Sequence, residues 1–224
     1  MAAPRKAEAP RWATSLVGAL VAAVLVASCS STIGSGRVLT ESREVRGFSR
    51  VELSGIGDVR VRQGDSESLS ITAETNLLPL LTSDVSDGTL RLETRSGAVL
   101  RPTQPITYDV TMKDLTGVAV SGSGSVAATA VRTPRLEVEI SGSGTVSVDG
   151  AVETQDVSVS GSGRYEGGRL ASTTASVQLS GSGSADLAVR ERLRAEVSGS
   201  GTVTYSGDPR VTQDISGSGS LRKR

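Results

Sequence analysis

Carboxylates and hydroxyls are the side chains with which this 224-residue sequence could do chemistry. Histidine is absent and there is one cysteine. That removes histidine-dependent triads and Cys/His zinc sites. The candidate acids are Asp109, Glu137, Glu139, Asp149, Glu153, Asp156 and Asp186. Glu137 and Glu139 are two apart, so a strand would place both on one face. Two carboxylates lining a groove would suit a polysaccharide-active enzyme, one as acid and one as base or nucleophile. The competing explanation is solvated charge on an outward face, and the alternation with Leu136, Val138 and Ile140 favours it. The expectation is a protein without catalytic residues. Calcium fares no better. The calcium-binding nonapeptide coil needs an aspartate that the local Gly-rich segments lack, and Asp149-Gly150 and Gly207-Asp208 read as turns. A glycine-rich phosphate cradle needs a following helix, and strand-like segments follow instead. No metal and no cofactor is expected.

The hydroxyls are ordered. Ser-Gly-Ser-Gly occurs six times, starting at Ser121, Ser141, Ser160, Ser180, Ser198 and Ser216, at steps of 20, 19, 20, 18 and 18 residues. A period near twenty is the length of one turn of a β-solenoid. Around each unit one parity stays apolar and runs into the glycines. Leu136, Val138, Ile140, Gly142, Gly144, Val146 and Val148 are one instance, and Val157, Val159, Gly161, Gly163 and Tyr165 are another. Strands put alternate residues on opposite faces. The pattern predicts strand, corner, strand, with apolar residues and glycines facing inward and serines facing water. Glycine accepts positive φ and leaves room where the backbone closes on itself. The opposite registration, serines inward, would require a partner for each buried hydroxyl. Stacked at the rung spacing, six corners make a hydroxyl ladder about 24 Å long. Such a lattice could hold a glycan, carry O-linked sugars, or be a plain structural corner.

These elements predict an all-β chain: a single-stack, parallel β-helix-like solenoid of 18–20 residues per turn over 118–224. A less regular β section over 45–117 precedes it. There, Val51, Leu53, Gly55, Gly57, Val59 and Val61 form a degenerate copy of the repeat. Residues 68–75, 89–95 and 106–112 alternate as strands, Asp87-Gly88 signals a hairpin, and the stretch from Asn76 to Asp84 holds a short helical turn broken by Pro79. The charged tail Arg222-Lys223-Arg224 would guard the last strand edge.

Residues 1–28 read as a secretory signal: Arg5, Lys6 and Arg11, then a 16-residue uncharged run from Ala13 to Ser28. The run is short for a membrane span, which takes about 20 apolar residues. It ends in Val26-Ala27-Ser28-Cys29, which resembles the lipobox of bacterial lipoproteins. The resemblance implies cleavage before Cys29 and a diacylglycerol thioether on its sulfur, hence a membrane partner through that lipid. An ordinary signal peptide or an uncleaved signal anchor are the alternatives. Residues 29–44 then read as a flexible tether. A lone cysteine excludes an internal disulfide. No apolar tail follows Arg224, so neither a second span nor a translocator barrel is expected. Without the signal, 21 basic residues face 23 acidic ones, and no basic cluster forms a nucleic-acid footprint. Few aromatics remain for stacking a ligand.

The segment Val45 to Asp65, Asn76-Leu77-Leu78, Gly88-Thr89-Leu90, the spaced SGSG units and Tyr205-Ser206-Gly207-Asp208-Pro209 together resemble a bacterial family known as "putative auto-transporter adhesin, head GIN domain". The resemblance covers nearly the whole chain after the signal and implies a β-solenoid, often secreted or lipid-anchored. The expected function is a non-enzymatic, exported lipoprotein, anchored to the bacterial membrane and facing outward, that presents its solenoid for surface interaction with an envelope glycan or protein. A carboxylate-dependent β-helix enzyme and an envelope-stress or scaffold protein without its own ligand are the alternatives.

Overall fold

In the computed structural model, which describes residues 31–224, the SGSG segments stack as corners of one parallel coil. The strands in chain order are β1 (Ser31–Ile33), β2 (Val38–Arg43), β3 (Arg50–Gly55), β4 (Asp58–Gln63), β5 (Ser68–Glu74), β6 (Leu81–Ser86), β7 (Thr89–Thr94), β8 (Val99–Arg101) and β9 (Thr107–Met112). There follow β10 (Gly117–Gly122), β11 (Ser125–Gly142), β12 (Thr145–Gly161), β13 (Arg164–Gly181), β14 (Ser184–Gly199), β15 (Thr202–Ser206), β16 (Arg210–Gly217) and β17 (Ser220–Lys223). β11 to β14 are long because each runs round a far corner as one strand, with a register shift of its ladder there. The result is the all-β solenoid that the repeat predicts, of about five turns.

One sheet face stacks β7, β3, β10, the second halves of β11 to β14, and β16, all parallel. The other stacks β9, β4, the first halves of β11 to β14, β15 and β17. Between them lies a core of small aliphatic side chains. Val51, Leu53, Val118, Val120, Val138 and Ile140 come from the first face, and Val59, Val126, Val146, Ala185 and Val203 from the second; all are buried. A coil this narrow has room for valine on both faces but for few aromatics, which accounts for their scarcity. Parallel stacking then repeats each position at the rung spacing of about 4.8 Å.

The start of the coil is closed by antiparallel strands. β6 pairs with β7 through the Asp87-Gly88 turn, where both residues have positive φ (53° and 71°), as a two-residue hairpin requires. β5 pairs with β9, and β2 with β5. The expected helical turn is a single 3-10 turn at Leu78–Leu80.

Three expectations need correction. Residues 45–117 supply the first rungs of the same coil: Gly117 of β10 pairs in register with Arg50 on one side and Glu137 on the other, so the 117/118 boundary falls inside a strand. Within the expected 29–44 tether, residues 31–33 and 38–43 are strands: β1 pairs in parallel with β8, and β2 pairs with β5 from Val38–Glu74 to Arg43–Leu69. Small polar residues looked like a tether, but their backbone finds ladder partners. Finally, only the second glycine of each SGSG unit faces inward. Gly124, Gly144, Gly163, Gly183 and Gly201 are buried, while Gly122, Gly142 and Gly161 are exposed. The first glycine takes a positive φ (104° to 115° from Gly122 to Gly217), which turns the chain and interrupts the strict alternation. The serines face outward as expected. The signal segment 1–28 and Cys29 lie outside the described residues.

Candidate interaction surface

The corner is a register device. Gly55, Gly122, Gly142, Gly161, Gly181, Gly199 and Gly217 lie one above the other through the parallel ladder. At each step the carbonyl below accepts an N–H from the serine after the next glycine: Ser143 N to Gly122 O at 2.9 Å, Ser162 N to Gly142 O at 2.9 Å, Ser182 N to Gly161 O at 2.8 Å and Ser200 N to Gly181 O at 2.9 Å. The backbone satisfies itself, so the serine hydroxyls are not needed for it. Ser121, Ser141, Ser160, Ser180, Ser198 and Ser216 form one exposed column, continued by Ser54 in β3. Ser123, Ser143, Ser162, Ser182, Ser200 and Ser218 form a second. Among the described residues no hydroxyl of the six SGSG units has a protein partner within hydrogen-bond distance. Seven stacked positions span about 29 Å at the rung spacing.

The seven candidate carboxylates are spread over both faces. Glu137 pairs with Arg50 (2.7 Å) across the small Gly117, and Asp156 pairs with Arg135 (2.8 Å) on the next rung. On the opposite face Asp109 lies 3.8 Å from Arg60, Asp149 2.6 Å from Arg169 and Asp186 3.0 Å from Arg224. Glu139 and Glu153 are exposed without an ion pair among the described residues. Glu137 and Glu139 do share one outer face, as their spacing predicts. A shallow groove of about 420 Å³ lies on the other face, lined by Glu166, Asp186, Arg164, Arg169 and Arg224 among others. The acids there alternate with arginines, the pattern of a solvated ion-pair surface. No group of three metal-ligating side chains occurs among the described residues.

Two polar sites carry structural roles that the sequence did not reveal. Glu74 is fully buried. Its carboxylate accepts N–H from Gly36 (2.6 Å) and Thr103 (2.8 Å) and the Thr103 hydroxyl (2.7 Å). These bonds, led by the Thr103 hydroxyl, hold its pKa below the usual carboxylate value against the opposing effect of burial. Asn76 works beside it, accepting from Ser35 N (3.0 Å) and donating to Ile33 O (2.7 Å). Together they latch the chain around Gly34–Gly36 onto the coil, and a Cβ at Gly34 would collide with the Glu74 carboxylate. Glu74 sits on the polar parity of β5, the parity opposite buried Leu69, Ile71 and Ala73, and is covered by an arm with the composition of a linker. Inside the coil, Tyr165 donates to Gln155 Oε1 (2.9 Å), Gln155 Nε2 donates to Ser172 Oγ (2.7 Å), and Ser172 donates to the Ala188 carbonyl (2.9 Å). Burial, and then the nearby Asp186 charge, push the Tyr165 phenol well above its usual value. Burial also pushes Tyr108 up to about 12.

Known proteins share this architecture. A family model described as "Putative auto-transporter adhesin, head GIN domain" matches residues 47–209. The solved structure of a "putative adhesin" from Bacteroides fragilis superposes with a TM-score of 0.71 at 21% identity, covering 86% of this chain and 100% of that one. A "putative lipid binding protein" from Parabacteroides distasonis gives 0.59 at 24% identity, over 87% of this chain and 100% of that one. A "putative adhesin" from Parabacteroides merdae gives 0.53 at 19% identity, over 87% and 99%. Identities this low speak for the fold. No curated protein matches the chain.

Proposed function

This chain belongs to the family described as "Putative auto-transporter adhesin, head GIN domain", and on that premise we propose that it is an exported, lipid-anchored envelope protein that works by surface interaction and not by catalysis. The anchor is the acylated sulfur of Cys29, at the end of Val26-Ala27-Ser28-Cys29. The rod then faces outward from the bacterial membrane. Relatives in fold bear the names adhesin and lipid-binding protein, which agrees with a surface role.

One observation carries this reading: the SGSG corners present hydroxyls stacked in register, exposed, with no protein partner. Free hydroxyls at a regular spacing suit hydrogen bonding to a repetitive polymer such as an envelope glycan. The candidate acids, by contrast, mostly pair with arginines on open surfaces.

The test is binding of the full-length protein in vesicles to a panel of purified envelope polysaccharides. Replacing Ser141, Ser160 and Ser180 with alanine should weaken the binding at least tenfold, by about 1.4 kcal/mol, the loss of one or two hydrogen bonds. Unchanged binding would move the interaction off the corner. Chain cleavage of any polymer, abolished by Asp186→Asn or Glu137→Gln, would favour the enzyme instead.

A further inference from the structure

The five large apolar side chains most exposed among the described residues are Ile33 (63%), Leu39 (54%), Val38 (49%), Val99 (45%) and Val85 (37%). All belong to β1, β2, β6 and β8, at the start of the coil. None comes from the strands β9 to β17, whose exposed residues are mostly polar or charged, with alanine and glycine among them. Isolated exposed aliphatics need no explanation, but a set confined to one end of a rod does.

Strand geometry groups them. β1 and β8 form a two-stranded parallel sheet with Ser31 opposite Val99 and Ile33 opposite Arg101. These four residues share its outer face, while Leu100 on the other face packs against the core. Leu39 lies on edge strand β2, opposite buried Ala73 on the core side, and Val85 lies on edge strand β6, opposite buried Leu90. Arg43 spans between these two edges, donating to the Leu81 carbonyl (2.7 Å), the Leu78 carbonyl (3.1 Å) and Ser83 Oγ (3.2 Å). The end of the coil is thus closed by a guanidinium strap with uncovered aliphatics around it. Two arginines border them: Arg37 and Arg101 are exposed and have no ion-pair partner among the described residues.

We infer that this end of the coil is a membrane-docking surface, with Ile33, Leu39 and Val99 entering the interfacial zone of an anionic phospholipid bilayer and Arg37 and Arg101 meeting its phosphates. The inference rests on the lipid anchor proposed above. Cys29 precedes Ser31 by two residues, a reach of at most about 7 Å. Glu74 and Asn76 latch the segment that follows, so no slack remains between lipid and coil. A bilayer is therefore the surface that the anchored end must meet. Aliphatic side chains with flanking arginines suit the boundary between headgroups and acyl chains. The coil then stands on its first rungs, and successive SGSG corners climb away from the membrane.

The experiment uses the full-length protein, purified with its lipid and placed in vesicles of phosphatidylethanolamine and phosphatidylglycerol. The mass of the N-terminal peptide first establishes whether Cys29 is acylated, independently of docking. Single cysteines then replace Ile33, Leu39, Val99 or Ser216, each carrying an environment-sensitive fluorophore. The first three should be quenched several-fold more strongly by nitroxide-labelled lipids than the probe at Ser216. Equal quenching at all four positions overturns the docking surface while leaving the anchor standing. Shielding at the first three without lipid quenching assigns the end to a second copy of the chain and also overturns it. Should the peptide prove unacylated, co-sedimentation with the same vesicles decides. Wild type should bind at least about tenfold better than the combined Ile33→Ser, Leu39→Ser, Val99→Ser variant, and equal binding overturns the proposal.

Discussion

The carbonyl oxygen of Gly122 lies 2.8 Å from where a Cβ on Gly142 would stand, and both glycines have positive φ, 115° and 110°. The same relation recurs one rung on, between Gly161 and the Gly142 carbonyl at 2.7 Å. The first glycine of each corner is therefore required twice, once for its backbone angle and once for the close approach of the rung below. Neither requirement concerns the interior of the coil.

This predicts a sharp contrast within one tetrapeptide. Gly142→Ala should cost about 1–3 kcal/mol, the range for a side chain held in a sparsely populated backbone region. Ser141→Ala, on an exposed hydroxyl without a partner, should stay within about 0.5 kcal/mol of wild type. Urea unfolding of the two variants measures both. Equal midpoints would mean that the corner relaxes freely.

The second glycine fails differently. A Cβ at Gly144 would meet Val120 Cγ1 at 2.5 Å and the Gly124 carbonyl at 2.9 Å. Gly144→Ala is an overpacking change, expected to cost about 1–3 kcal/mol. Shortening the obstructing side chain with Val120→Ala should recover part of that loss in the double variant, a coupling that Gly142→Ala with Val120→Ala should not show.

Much of this was legible beforehand. The regular spacing of SGSG and the unbroken apolar parity from Leu136 to Ile140 imply stacked strands with serines outside, and the structure has them. What parity could not show is that a positive φ at Gly142 flips the chain, so that two glycines of like parity have unlike surroundings. Glu74 was illegible for another reason. Its burial depends on Gly36 and Thr103, neither near it in sequence, and the arm containing Gly36 has the composition of a linker. The acids were readable as surface charge from their alternation with valine and leucine, but their arginine partners, such as Arg50 for Glu137, 87 residues away, were not.

Loss of the Glu74 latch should free the N-terminal arm without unfolding the coil. In Glu74→Gln, amide exchange at residues 31–37 should quicken while the SGSG rungs keep their protection. Acid should do the same. The folded pKa lies below the unfolded value of 4.5, so the latch contributes fully above that value and is lost as the pH falls through the folded pKa. The arm's protection factors, with exchange referred to the intrinsic rate at each pH, should therefore be constant near neutrality and fall only below about pH 4.5. A fall already near pH 6 would assign the latch to another group.

Alkali should attack the core. Buried Tyr108 and Tyr165 have pKa values raised above the unfolded 10.0, Tyr108 to about 12. Between those values the unfolded chain has already released protons that the folded chain retains, so stability falls as the pH rises above about 10. Tyr165→Phe should ease that fall and also leave the buried Gln155 Oε1 without its donor, at about 1–3 kcal/mol near neutral pH. Thermal unfolding of wild type and variant at pH 7 and pH 11 separates the two effects. A variant as stable as wild type at pH 7 would show that Gln155 finds another donor.

Membrane partition of the Cys29→Ala variant tests the central claim most directly. In a bacterium that processes lipoproteins, the wild type should fractionate with the membrane and carry a diacylglycerol mass on its N-terminal cysteine. The variant should lose the acyl mass and, with the anchor gone, the greater part of its membrane association. A wild-type chain without acyl mass, or a variant that remains with the membrane to the same extent as wild type, would contradict the lipid-anchored rod.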